Sequence, residues 1–75
     1  MNMAEAVLIY VRLMGEGTEC FRPARGIEVA SGLFKLLPSP NYDSDDEQWE
    51  FPPDSVVRTE QRTSGNATIL VAIRA

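Results

Sequence analysis

The sequence predicts an all-β domain, either a small five-stranded barrel or a rolled antiparallel sheet. Three observations carry that prediction. Short runs of alternating β-branched and aromatic residues recur at close spacing along the chain. Glycine and proline punctuate them at Gly15-Glu16-Gly17, Pro23, Ser31-Gly32, Pro38-Ser39-Pro40 and Ser64-Gly65-Asn66. No stretch keeps a sustained helical period, and one long acidic segment, residues 38–54, interrupts the strand pattern. Seventy-five residues make one domain, 1–75. A chain of this size buries only about 60–65% of the surface its unfolded form exposes, which leaves little room for a deep cleft beside a core.

Taken in order, residues 1–5 carry no strand pattern and read as a loose start. From Ala6 to Met14 the run AVLIYVRLM alternates cleanly, with Val7, Ile9, Val11 and Leu13 on one face and Leu8, Tyr10, Arg12 and Met14 on the other. Thr18–Arg22 predicts a second short strand that ends at Pro23 or lies on an edge there, because proline has no N–H to give a ladder. Ile27–Ala30 alternates again, and Leu33–Leu37 is expected to form a hairpin with it. Ser55–Arg62 and Ala67–Ile73 complete the set. The last strand sets Thr68, Leu70 and Ala72 against Ile69, Val71 and Ile73, so both faces are largely apolar and both should be covered.

The charge is unevenly placed. The net charge of −4 comes from seven bases and eleven acids. Residues 41–54, NYDSDDEQWEFPPD, hold six of the acids and no base, leaving seven bases and five acids elsewhere. The molecule is therefore a slightly basic body with one strongly acidic segment, an asymmetry that bears on partners rather than on fold. The segment also contains Tyr42, Phe51 and the single tryptophan, Trp49. Loops this long are functional or disordered, and its aromatics argue for docking. Asp43–Glu47 suits one helical turn started by Ser44, Asp45 or Asp46. Trp49 and Phe51 share a face in extended chain, where they would cap the open end of the barrel. Arg22 is the base expected to meet the acidic segment, as a bidentate carboxylate pair.

Much chemistry is missing. There is no histidine, which removes Ser-His and Cys-His catalysis and the commonest zinc ligand. The chain has one cysteine, Cys20, so no CxxC pair and no intramolecular disulfide is possible. No phosphate-cradling glycine motif is present. An EF-hand started at Asn41 places Asp46 and Pro52 where glycine and glutamate are needed, and one started at Asp43 places Gln48 at the glycine. No enzyme activity, cofactor or metal is expected. The start of the chain lacks the basic residues and long apolar run of a signal peptide, and no apolar run approaches the ~20 residues of a membrane span. A cytoplasmic protein with no membrane contact is the expectation.

The segments VRLMGEGTECFRPA and NYDSDDEQWEFPPDSVVR resemble a family of short, largely uncharacterised bacterial proteins. That family shows a V-R-L-x-x-E-G-T strand and turn, an aromatic before R-P, and then Y-D-x-x-x-E-x-W-E-F-P-P-G-x-x-V-R. The matches are Val11, Arg12, Leu13, Glu16, Gly17, Thr18, Phe21, Arg22, Pro23, Tyr42, Asp43, Glu47, Trp49, Glu50, Phe51, Pro52, Pro53, Val57 and Arg58, and the two segments that hold them cover about half the chain. The departure is Asp54, where the pattern has glycine. The phrase FPPDSVVR is also similar to the F-x-P-G-x-x-V entry into a strand of SH3-like barrels, and the resemblance implies that fold. It implies no established activity.

These residues point to a non-enzymatic protein-interaction module of bacterial origin, in which an acidic-aromatic loop meets a basic surface on another protein. Its candidate partner-binding residues are Tyr42, Asp43, Asp45, Asp46, Glu47, Trp49 and Glu50, an aromatic anchor ringed by carboxylates. The alternative is a nucleic-acid-mimicking inhibitor of phage type, since alternate carboxylates in extended chain lie about 6.6 Å apart. Weak nucleic-acid binding through Arg12, Arg22, Arg25, Arg58, Arg62 and Arg74 is a further alternative, which the negative net charge disfavours. The chain itself is expected to be a monomer or a weak homodimer.

Overall fold

Alternation and punctuation resolve into five strands: β1 (Val7–Arg12), β2 (Phe21–Ala30), β3 (Leu33–Leu36), β4 (Val56–Ser64) and β5 (Ala67–Arg74). The computed structural model describes residues 5–40 and 42–75, and no helix is present among them. Most of the expected loose start, residues 1–4, and Asn41 at the head of the acidic segment lie outside the described residues. Each strand pairs antiparallel with the next, and β5 returns to β1 to close a small barrel consistent with the SH3-like class. Five strands in a meander cannot close antiparallel all the way round. The closing pair must be parallel, and it is, with Tyr10 beside Val71.

The inner row of β1 is the one the alternation selects. Ile9 and Val11 are fully buried and Leu13 nearly so, and they pack with Ala24, Leu36, Trp49, Val57 and Ala72. Gly26 lies opposite Val7 and Leu36, where two strands crowd together. A Cβ there would sit 2.8 Å from Ile9 Cδ1 and 3.3 Å from the Lys35 carbonyl oxygen. On β5, Ala72 faces the core, while Val71 is buried to 4% exposure without belonging to the core cluster. Register puts Val71 beside Tyr10 and opposite Glu60, so it is covered on the outer wall by its neighbours. Both faces of this strand are thus covered at its middle.

One expectation is corrected. The chain does not break at Pro23: a single ten-residue β2 runs through it, taking in only Phe21 and Arg22 of the expected Thr18–Arg22 strand and leaving Thr18–Cys20 outside any strand. The Arg25 carbonyl accepts from the Leu37 N–H at 2.8 Å, so the backbone groups of Arg25 face β3. Those of Pro23, two residues earlier, face the same way. There β3 has ended, and Tyr10 is the only ladder partner at that level. The missing N–H of Pro23 therefore costs no ladder bond, as on an edge.

Before β4, Ser55 N–H donates to the Pro52 carbonyl at 3.2 Å across a turn with Pro53 and Asp54 at its centre. Asp54 has φ +75°, the one non-glycine in the left-handed region among the described residues. Proline followed by positive φ is the signature of a type II turn, whose third position favours glycine. Asp54 thus takes up, at some cost in strain, a backbone conformation that glycine adopts freely.

Candidate partner-binding site

The 37–55 segment between β3 and β4 is built in two parts with opposite fates. Its first part closes as a single helical turn. Asp46 and Glu47 N–H groups both donate to the Asp43 carbonyl, at 3.0 and 2.9 Å. Asp43 Oδ1 accepts from Asp45 N–H at 2.9 Å. The residue that starts the turn is therefore Asp43, one before the Ser44–Asp46 group expected for that role.

The second part adds to the barrel. Met14 N–H donates to Gln48 O at 2.7 Å, Glu50 N–H donates to Arg12 O at 2.9 Å, and Trp49 bridges Leu13 antiparallel. Residues 48–50 thus occupy the edge of β1 just beyond Tyr10, where β5 parts from it. Leu13 is an inner-row residue, so Trp49 opposite it also points inward. Trp49 is 6% exposed and belongs to the core. Burying a tryptophan removes roughly 150–250 Å² from water, worth about 4–6 kcal/mol at ~25 cal/mol/Å². Phe51 and Tyr42 are half-buried against the same cluster, and Tyr42 meets Trp49 edge to face, with ring centroids 4.9 Å apart at 71°.

Glu47 joins the two parts. Its Oε2 accepts from Arg22 Nε at 2.8 Å and lies 2.6 Å from Arg22 Nη2, and its Oε1 accepts from the Trp49 indole N–H at 3.1 Å. Arg22 stands opposite Val11 on the inner row, so the barrel aims it at the mouth that Trp49 closes. The contact expected of Arg22 is present in a different form. Two of the three guanidinium nitrogens, Nε and Nη2, take one oxygen side-on, and the indole holds the other. The hydrogen bonds from Arg22 and then from Trp49 hold the Glu47 carboxyl below the usual range, and the Arg22 guanidinium is raised in turn.

The candidate residues therefore separate. Tyr42, Glu47 and Trp49 hold the loop to the barrel, and Glu50 lies on the surface with its carboxylate 3.8 Å from Arg12 Nε. Asp43, Asp45 and Asp46 are exposed. Among the described residues, no Lys or Arg lies within ion-pair distance of these three. Asp45 and Asp46 line an open depression of about 290 Å³ with Leu13, Met14, Glu16 and Gln48. Met14 and Glu16 were missed from sequence. Met14 is 41% exposed, an apolar side chain beside carboxylates from two loops. The signal that would have found them is the pairing of 48–50 with the end of β1, which no local pattern announces. Among the described residues, no group of three or more His, Cys, Asp or Glu is placed to hold a metal, and no helix is long and apolar enough to cross a membrane. Compared with protein-family models, curated proteins and solved structures, the chain matches none of them.

Proposed function

We propose that the chain is a non-enzymatic interaction module whose acidic turn meets a basic surface on another protein. The observation that carries this reading is the division within one loop. Glu47 and Trp49 fix the loop to the barrel, while Asp43, Asp45 and Asp46 are left to solvent, the last two beside the exposed Met14 and Glu16. An apolar contact ringed by carboxylates suits a basic partner, whose approach the charge would steer. The mimicry alternative needs carboxylates spaced along extended chain, and the helical turn at Asp43–Glu47 does not provide that spacing. The arginine alternative loses Arg12, Arg22 and Arg62 to carboxylate contacts. The reading includes a cytoplasmic, reducing setting, in keeping with the free Cys20.

The test is a pull-down from the native cell with the parent chain and with Asp45→Lys/Asp46→Lys, leaving Glu47 intact because it holds the fold. The expected result is loss of the captured protein at unchanged melting temperature. Capture that survives the double reversal overturns the proposal.

A further inference from the structure

The outer edge of β4 has no strand beside it for most of its length. β4 runs over Val56–Ser64, about 30 Å of strand. β3 pairs with it only at Val56 and Val57. The Ser55 carbonyl accepts from Leu36 N–H at 2.9 Å, so backbone groups at this parity face β3. Continuing by twos, the N–H and C=O groups of Thr59, Gln61 and Thr63 face that same side, past the end of β3. Among the described residues no strand lies there. The edge is regular, with no proline, and its register to β5 is unbroken from Val57 to Ser64. Glu60, Gln61, Arg62 and Thr63 are all exposed. A long, straight, uncovered edge is a template for another strand.

The charge pattern says which strand fits. Arg58, Glu60 and Arg62 alternate in sign along the outer face, and in antiparallel pairing directly opposite residues share a face. A twofold axis on Glu60 would set Glu60 against Glu60 and Arg58 against Arg62. An axis on Arg62 would oppose two guanidinium groups. An axis on Thr59 would match Arg58 with Glu60, but it needs the backbone of Val57, which β3 holds. An axis on Gln61 sets Glu60 opposite Arg62 twice and exchanges backbone bonds at Gln61 and between Thr59 and Thr63. Arg62 already reaches Glu60 at 3.2 Å and Glu19 at 3.3 Å, so its guanidinium is placed among carboxylates on this face.

We propose that β4 pairs antiparallel with β4 of a second copy of this chain, with the twofold axis at Gln61. The pairing is independent of the acidic turn, and reversal of Asp45 and Asp46 should leave it intact.

Sedimentation of the parent chain across a concentration series should show monomer passing to dimer. Gln61→Pro removes an outward-facing N–H without touching the bonds to β5, and should stay monomeric at every concentration with an unchanged circular dichroism spectrum. The register has its own readout, in a Cys20→Ser background under copper–phenanthroline oxidation. Gln61→Cys places two thiols on the axis, where paired Cα atoms lie about 5.5 Å apart, within disulfide range. Glu60→Cys faces its own copy only on a diagonal of about 7–8 Å, outside it. Rapid cross-linking of the first and not the second is expected. A parent chain that remains monomeric at the highest concentration overturns the proposal, as does a Gln61→Cys variant that cross-links no faster than Glu60→Cys. The cysteine pair decides even where Gln61→Pro fails to fold.

Discussion

The loop before β4 and the hairpin after it invert the usual association of regular backbone with burial. Residues 37–55 have almost no repeating structure, yet they carry Trp49 into the core and fill the gap where β1 and β5 part. The β4–β5 hairpin is the most regular part of the molecule, eight consecutive pairs closed by Gly65 at φ +62°, yet Glu60 to Thr63 and Gly65 to Thr68 are exposed. Side-chain composition explains the difference. The loop has large aromatics to bury, and the hairpin tip has Glu, Gln, Arg and Thr. Folding energy follows apolar area, and the ladder only arranges it.

That contrast can be broken most forcefully at Trp49. Trp49→Ala should destabilise the chain by about 3–5 kcal/mol, in urea or thermal melts, whereas charge changes at Glu60 or Arg62 should stay within ~0.5 kcal/mol. Equal effects at the two places would refute it. Next comes Gly26→Ala, where the added methyl meets Ile9 Cδ1 and a backbone oxygen. A loss of about 1–3 kcal/mol is expected from overpacking, partly recovered by Ile9→Val, which removes the clashing carbon.

A smaller effect tests how the loop is held. The folded Glu47 carboxyl is lowered by Arg22 and Trp49. Its stabilisation is therefore present above the unfolded glutamate value of about 4.3 and is lost as pH falls through the lower folded value. Denaturant midpoints of the parent should fall across that acid window more steeply than those of Glu47→Gln. Parallel curves would show that the clamp does not contribute. The smallest change runs the other way. Asp54→Gly should stabilise by up to about 1 kcal/mol by relieving positive φ, and a loss instead would mean that the aspartate side chain makes a contact worth more than the strain.

The strands were largely legible because alternation is a local signal. Val7, Ile9, Val11 and Leu13 announce the inner row, and Gly65-Asn66 announces the hairpin. What was not legible depends on what lies alongside. Pro23 breaks a strand or passes through one according to which neighbour its nitrogen faces, and Thr18–Arg22 contains nothing about where β3 ends. The pairing of Arg22 with the acidic segment could be read from charge. The choice of Glu47, and of a single oxygen, could not, because it depends on the Trp49 indole taking the other. Asp45 and Asp46 and their neighbours Met14 and Glu16 come from two loops that meet only once the barrel has closed.

The closure itself has a kinetic consequence. Every other strand pair joins neighbours in sequence, across the short β2–β3 and β4–β5 turns, the β1–β2 loop or the longer 37–55 segment. The Tyr10–Val71 seam joins positions at opposite ends of the chain, so the entropy of ordering nearly all of it must be spent before that contact is made. On contact order, the meeting of first and last strands is then the expected slow step of folding. Substitutions at the seam would show in refolding rates as well as in equilibrium melts. A circular permutant that links the two ends and opens the chain in the β4–β5 turn would make the β1–β5 contact local and leave the β4–β5 pairing to close across the length of the chain.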